Sequence, residues 1–154
     1  MGMILGIDPG KDKFGWAFVS SDGALVASGV IPSVLAEGMV DLLLDGKLES
    51  LSSYTMEMPA GPVRPGSPET VLLGNGTARE RFCGILTSRQ CAFALVDEAY
   101  TTLEARTLYW ILHPPRGFAR LLPRGLRVPP RPIDDLAAWA LVRRFLSLGA
   151  VKEA

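Results

Sequence analysis

Residues 4–17 read Ile-Leu-Gly-Ile-Asp-Pro-Gly-Lys-Asp-Lys-Phe-Gly-Trp-Ala, two apolar runs separated by a polar turn. The first run predicts a buried strand that ends on a carboxylate, Asp8, and the second run predicts a strand that starts at Phe14. A carboxylate at the edge of a core is costly unless a cation meets it. Divalent metal ions prefer such hard oxygen ligands, so other acids are expected near Asp8.

The composition favours a compact enzyme-sized domain. The chain has 154 residues, 48% of them hydrophobic, which predicts one domain over 1–154 with a substantial core. No apolar run reaches the length of a membrane span and no basic segment precedes the first one, so we expect a cytoplasmic protein without a membrane partner. Two cysteines, Cys83 and Cys91, and one histidine, His113, argue against a zinc site and against catalysis by paired histidines.

The order of the predicted elements indicates the fold class. Strands are expected at 3–8, 14–20, 24–31, 52–58 and 91–97, and helices at 34–47, within 69–88, at 102–112 and at 132–148. Strands that are joined through helices run parallel. The sequence therefore predicts an α/β protein with a ribonuclease H-like fold. Its five-stranded mixed sheet, with the first three strands antiparallel and the last two parallel, is flanked by helices.

Six acids lie where these elements end or begin, namely Asp8, Glu57, Asp97, Glu98, Asp134 and Asp135. Ligands gather beyond the carboxyl ends of parallel strands, so these side chains could meet at one point. Neighbouring carboxylates repel each other, and two divalent cations about 4 Å apart relieve that repulsion and promote phosphodiester cleavage without histidine. Each acid taken singly is also typical of a turn or a helix cap, although glutamate at Glu57 is unusual for a strand.

Charge is distributed unevenly along the chain. Residues 1–112 carry 8 Lys/Arg against 13 Asp/Glu, a net charge of −5, and residues 113–154 carry 8 against 3, a net charge of +5. The basic residues of the turn after Asp8 and of the Pro-rich loop 113–132 are candidate phosphate contacts: Lys11, Lys13, Arg116, Arg120, Arg124, Arg127 and Arg131. This distribution favours a nucleic-acid partner, and a solvated surface loop is the alternative interpretation.

Three motifs are similar to those of a known family. They are residues 4–10 with Gly15, residues 96–106 (Val-Asp-Glu-Ala-Tyr-Thr-Thr-Leu-Glu-Ala-Arg) and residues 133–138 (Ile-Asp-Asp-Leu-Ala-Ala). In this order they resemble the YqgF/RuvX family, which is related to the RuvC Holliday junction resolvases within the ribonuclease H-like superfamily. The chain departs from the family at Ala99, where arginine is usual, and at Glu57, where relatives usually lack an acid.

The resemblance implies a metal-dependent nuclease. It implies that Asp8, Glu98 and Asp134 are catalytic and bind Mg²⁺ or Mn²⁺ in a two-metal site, with Glu57, Asp135 and Asp97 as additional candidates. It also implies either maturation of pre-16S ribosomal RNA ends or DNA repair by cleavage of branched DNA, the latter as in a RuvC-like Holliday junction resolvase. A non-catalytic nucleic-acid-binding module on the same fold is the alternative. RNA or DNA as substrate, endonuclease or exonuclease action, and monomer or homodimer all remain open.

Overall fold

The computed structural model describes residues 2–123 and 127–153, and within them it contains one mixed sheet and four α-helices. The strands are β1 (Met3–Asp8), β2 (Lys13–Ser20), β3 (Leu25–Pro32), β4 (Thr55–Glu57), β5 (Thr70–Gly74) and β6 (Ala94–Val96). The helices are α1 (Ala36–Asp45), α2 (Arg79–Ser88), α3 (Thr101–Leu112) and α4 (Asp134–Glu153). Short 3₁₀ turns span Ser33–Leu35, Leu48–Tyr54 and Gly117–Leu121. None of the helices described is both long and apolar enough to cross a membrane.

The sheet has β1 near its centre. Its strand order is β4-β3-β2-β1-β5-β6. The strands β1, β2 and β3 pair antiparallel, whereas β5 is parallel to β1 and β6 is parallel to β5. The predicted α/β class with three antiparallel strands at the start is therefore confirmed. The carboxyl ends of β1, β5 and β6 lie at the same edge of the sheet, which is where Asp8 ends β1.

The prediction of five strands is wrong, because residues 70–74 form a sixth strand where the sequence predicted part of a helix. In this strand Val71 and Leu73 pack on one face of the sheet and Leu72 on the other. A strand buried on both faces is a continuous apolar run without alternation, which sequence cannot distinguish from a buried helix segment. Gly74, Asn75 and Gly76 end this strand and are not a break within a helix.

The predicted parallel pairing of segments 52–58 and 91–97 is also wrong. The chain returns from α1 through the 3₁₀ turn at Leu48–Tyr54 to the outer edge of β3, and β4 pairs there antiparallel. The parallel strands are instead β5 and β6. Strand β4 consequently runs opposite to β1, and Glu57 at its end lies three strands from Asp8 in the sheet.

The two faces of the sheet bury two hydrophobic clusters. On one face, α1 and α2 cover Leu5, Ile7, Phe14 and Trp16, all of which are fully buried. On the other face α3 and α4 pack on the alternate residues of the same strands, such as Ala17. The alternation of a strand thus places Asp8, like Gly6 two residues before it, on the side of α3 and α4.

Two glycines allow α4 to lie directly against the sheet. A Cβ atom at Gly6 would come within 2.7 Å of the carbonyl oxygen of Ala138, and a Cβ atom at Gly15 would overlap the carbonyl oxygen of Asp134. Only glycine permits so close an approach of backbone to backbone. Because Gly15 pairs with Asp8 in the β1–β2 register, the first residue of α4 lies beside the last residue of β1.

Candidate active site

Three separate elements bring three carboxylates together at the carboxyl end of β1. Asp8 is the last residue of β1, Glu98 follows β6 by two residues, and Asp134 is the first residue of α4. The carboxyl group of Asp8 lies within hydrogen-bond reach of Glu98 and within electrostatic range of Asp134. The structure therefore places Asp8 close to both other candidate metal ligands.

The surroundings of Asp8 disfavour its charged form. Burial, then a hydrogen bond with Glu98, then the negative charges of Glu98 and Asp134 raise the pKa of Asp8 from 3.8 to about 9. The protonated form of Asp8 is therefore favoured at neutral pH in the metal-free chain. A carboxyl group that must keep a proton to coexist with its neighbours is one that a cation would stabilise in its ionised form.

The loop after β5 encloses Glu98. A Cβ atom at Gly74 or at Gly76 would overlap a carboxylate oxygen of Glu98, so a larger residue at either position would displace the Glu98 side chain. The backbone N–H of Glu98 donates to Oδ1 of Asn75 at 3.1 Å, which fixes the loop after β6 against the loop after β5. The Oε1 atom of Glu98 is buried and accepts no hydrogen bond from any of the residues described. Such an unsatisfied acceptor costs about 1–3 kcal/mol unless a cation or donor reaches it.

The chemistry of these three residues fits a divalent cation. Their donors are carboxylate oxygens, the ligands that Mg²⁺ and Mn²⁺ prefer, and one of those oxygens lacks a partner. As they stand, the described residues include no group of three His, Cys, Asp or Glu side chains that is arranged to hold a metal ion. Lys13 contributes to this arrangement, because its Nζ atom lies 3.5 Å from Oδ2 of Asp134 and offsets part of the negative charge.

A cleft of about 280 Å³ opens beside Asp8 and Asp134. Its walls carry three basic side chains, Lys13, Arg106 and Arg131, and they also include Thr102, Val128, Pro129, Pro132 and Ile133. Arg106 was not among the site residues predicted from sequence. The available signal was helical spacing, since Thr102 and Arg106 lie four residues apart and hence on one side of α3.

A second acidic cluster, which we call the Arg131 cluster, consists of Ser28, Glu57, His113, Arg131 and Asp135. Arg131 Nη2 lies 2.6 Å from Glu57 Oε2, and Arg131 Nη1 lies 2.8 Å from Asp135 Oδ1. His113 Nε2 lies 2.8 Å from Glu57 Oε2, and the Ser28 hydroxyl donates to Asp135 Oδ2 at 2.6 Å. Burial alone would lower the pKa of Arg131, but Asp135 and Glu57 outweigh it and raise that pKa above its ordinary value.

The three additional acids predicted from sequence do not join Asp8. Glu57 and Asp135 are buried in the Arg131 cluster, and Glu57 lies three strand spacings, about 14 Å, from β1. Asp97 is exposed, and its Oδ1 atom accepts the backbone N–H of Ala99 at 3.0 Å, as expected for a residue that stabilises a turn.

Some of the side chains predicted to contact phosphate are exposed, and others already form bonds within the protein. Lys11, Arg116 and Arg120 are exposed to solvent. Arg127 donates to the carbonyl oxygens of Leu122 and Arg120 at 3.0 and 3.1 Å and thus stabilises its own loop. Arg131 is held by Glu57 and Asp135, and Lys13 is paired with Asp134. Arg124 lies outside the described residues.

Comparisons with known proteins give a structural likeness without a sequence match. No protein-family model matches the sequence, and no curated protein matches it. Thermus thermophilus RuvC in complex with Holliday junction substrate is 16% identical with a TM-score of 0.48 over 92% of this chain and 90% of that chain. A second structure of Thermus thermophilus RuvC is 16% identical with a TM-score of 0.47 over 96% of each chain. Both TM-scores lie below 0.5, and the function proposed below rests on this chain's own residues.

Proposed function

We propose that the protein is a divalent-metal-dependent nuclease that hydrolyses phosphodiester bonds in nucleic acid. The observation that carries the proposal is the proximity of Asp8 to both Glu98 and Asp134, beside a cleft with basic side chains in its walls. Carboxylates suit a hard cation, and basic side chains suit the phosphate that the cation would act on. Chemistry of this kind requires no histidine, and the single histidine of the chain is held by Glu57, outside this site.

The strand order supports a ribonuclease H-like fold for this proposed nuclease domain over 1–154. The strands β1, β2 and β3 pair antiparallel, as expected from the sequence, and the parallel strands β5 and β6 lie on the other side of β1. The candidate ligands also occur in the chain in the same order as the motifs that resemble the YqgF/RuvX family. The family assignment stays a proposal that rests on those motifs.

Each residue of the site has a role in the proposed mechanism. Asp8, Glu98 and Asp134 would hold Mg²⁺ or Mn²⁺, and a bound cation would activate the attacking water and stabilise charge on the phosphate. Ligation of a cation would require the ionised form of Asp8, so the proton of Asp8 would pass to solvent water. Lys13 would exchange its contact with Asp134 for a phosphate oxygen, and Arg106, which also lines the cleft, would orient the same phosphate.

The substrate follows less directly from the residues than the chemistry does. The motif resemblance supports either the ends of pre-16S ribosomal RNA or branched DNA, and a site with two metal ions in either case. Exposed Arg116 and Arg120 would contact the sugar-phosphate backbone of RNA and DNA alike, because phosphate contacts carry no sequence information.

A second candidate is a nucleic-acid-binding module without catalysis. Two observations favour it. The Lys13 ammonium group is paired with the Asp134 carboxylate, and Ala99 stands where the YqgF/RuvX family, which has similar motifs, usually has arginine. Under this alternative, binding would depend on arginine and on salt concentration, and no divalent metal would support cleavage.

The deciding experiment is a cleavage assay on single-stranded RNA, single-stranded DNA and four-way junctions, each with Mg²⁺, Mn²⁺ or a chelator. Asp8→Asn should abolish cleavage while binding persists, because the variant lacks a ligand but keeps the basic walls. Asp12→Asn is the matched control, since it makes the same change at an exposed residue of the same turn. Equal activity of wild type and Asp8→Asn would refute the nuclease, and metal-independent binding without cleavage would favour the module.

A further inference from the structure

We propose that a second cavity, on the outer side of α3, binds an unpaired base of the nucleic acid whose phosphate occupies the cleft. This cavity has a volume of about 520 Å³, and its walls include Leu103, Arg106, Thr107, Trp110, Ile111 and Arg127. The inference deepens the proposed function, because it assumes that a nucleic-acid strand enters the cleft beside Asp8. A volume of this size is typical of sites for small organic groups.

The apolar walls are unusual for a surface that faces water. Leu103 and Ile111 lie on one side of α3 and are 60% and 63% exposed. The indole N–H of Trp110 donates to the carbonyl oxygen of Arg127 at 3.3 Å, and the ring packs edge-to-face on Tyr109 with centroids 4.9 Å apart. The indole is therefore held in place, and a flat, fixed aromatic surface is what a base stacks on.

The charges of the cavity select for an anionic ligand. Its ionisable lining residues, within the part of the chain described, are Arg106 and Arg127, and no acid is among them. A purely apolar partner would bury both guanidinium groups without a counter-charge, which is costly. A nucleotide matches both the apolar walls and the positive charge of the cavity, because its base is apolar on its faces and its phosphate is negative.

Arg106 connects the two cavities. It lines the 520 Å³ cavity and also the 280 Å³ cleft that contains Asp8 and Asp134. One strand could thus place a phosphate against Arg106 in the cleft while the neighbouring base lies against Trp110. This juxtaposition favours single-stranded or locally unpaired nucleic acid, because a base within a duplex is not free to leave its stack.

The test is binding of short single-stranded oligonucleotides in a chelator, measured by fluorescence anisotropy, with one base at a time removed to leave an abasic site. The phosphate backbone stays intact, so only a base pocket responds. We expect a loss in affinity of roughly 5- to 100-fold at one or two positions of the oligonucleotide and little change elsewhere. The chelator removes any contribution from cleavage.

Variants connect the effect to the cavity. Leu103→Ala with Ile111→Ala should weaken binding of the intact oligonucleotide and remove its preference over the abasic one. Both side chains are exposed, so folding should be unaffected. Thr107→Glu, which adds a negative charge at an exposed position, should also weaken binding of the oligonucleotide. Leu148→Ala, at a 54% exposed leucine of α4, is the matched control and should change nothing.

The outcomes separate this inference from the proposed nuclease. An affinity that is indifferent to every abasic position, a cavity variant that keeps the full preference, or no oligonucleotide binding at all would overturn the base pocket. If the abasic effect is found but no metal supports cleavage in the parallel assay, the pocket stands and the nuclease fails. If a metal supports cleavage but removal of no base changes the affinity, the nuclease stands and the base pocket fails.

Discussion

Two groups of acids on the same face of the sheet differ in how their charge is balanced. Asp8, Glu98 and Asp134 lie together with one half-exposed lysine nearby and with a buried oxygen that no described residue satisfies. In the Arg131 cluster, by contrast, the two buried acids share one arginine and each has a further hydrogen-bond partner. The neighbouring residues Asp134 and Asp135 belong to different groups.

The difference indicates which acids are available for chemistry. Carboxylates that arginine neutralises hold segments together, here β4, α4 and the loop between α3 and α4. Carboxylates that remain unneutralised in a buried place cost free energy, and folding keeps them only where something outside the chain binds them. The balance of charge, more than burial alone, therefore distinguishes the candidate active site from its structural neighbour.

The sharpest test of this comparison makes the same substitution at adjacent residues. Asp134→Asn should reduce cleavage at least about 1000-fold, since a bound cation contributes several kcal/mol to catalysis, and should leave stability nearly unchanged. Asp135→Asn should retain most of the activity but lower the free energy of unfolding by about 3 kcal/mol, because it breaks a buried ion pair. Cleavage assays and urea unfolding measure the two effects.

An opposite result would exchange the roles of the two groups. If Asp135→Asn abolished cleavage in a protein of normal stability, the Arg131 cluster would belong to the active site. A large loss of stability in Asp134→Asn would show that Lys13 and Asp134 form a structural pair and not a site for a ligand.

The pH dependence of stability should differ between the groups as well. The pKa of Asp8 is about 9 in the folded chain and near 3.8 when unfolded, so the folded state binds more protons between these values. The contribution of Asp8 is therefore most favourable below pH 4, and it is lost as the pH rises through about 9. In a chelator, wild type should lose stability relative to Asp8→Asn across this window, as urea unfolding at several pH values will show.

Added Mg²⁺ provides the control for that measurement. A cation that binds the ionised form of Asp8 should stabilise wild type most at the high end of the window and should have little effect on Asp8→Asn. If the difference in free energy of unfolding between the two proteins did not change from pH 4 to pH 9, with or without metal, the crowding of carboxylates around Asp8 would be contradicted.

Local patterns in the sequence were sufficient for much of the fold. The strands β1, β2 and β3 were predicted within one residue of their observed bounds, because each is an apolar run that ends at a turn or a proline. Helix α3 begins one residue before its predicted start at 102, and the position of Asp8 at the end of β1 also followed from local signals, whereas β6 covers only Ala94–Val96 of the predicted strand 91–97. Strand β5 did not, since residues buried on both faces show no alternation.

The division of the acids could not be read from the sequence. Asp134 and Asp135 are identical in type and adjacent, and their different surroundings arise from the turn of about 100° between successive residues of a helix. Which of them faces Asp8 depends on how α4 lies on Gly6 and Gly15, and which is neutralised depends on Arg131, four residues before Asp135. Both are properties of tertiary packing.

Arg131 offers the third test, on the structural side of the comparison. Arg131→Met should lower the free energy of unfolding by about 3 kcal/mol, because it leaves the carboxylates of Glu57 and Asp135 buried without their main counter-charge. Arg120→Met makes the same change at an exposed residue of the same loop and should alter stability by less than about 0.5 kcal/mol. Equal effects in urea unfolding would mean that the Arg131 cluster is not a stabilising element.

The smallest expected effect is at the periphery of the same cluster. His113 is 47% exposed and bonds to Glu57, which keeps its shorter bond to Arg131 when the imidazole is removed. His113→Phe retains a ring next to Tyr109, where the centroids lie 4.8 Å apart, and should cost only about 1 kcal/mol in urea unfolding, without loss of cleavage. If His113→Phe lowered the free energy of unfolding as much as Arg131→Met, the Glu57 carboxylate would depend equally on both partners. The charge of Arg131 would then not be what keeps the acids of the Arg131 cluster out of the chemistry.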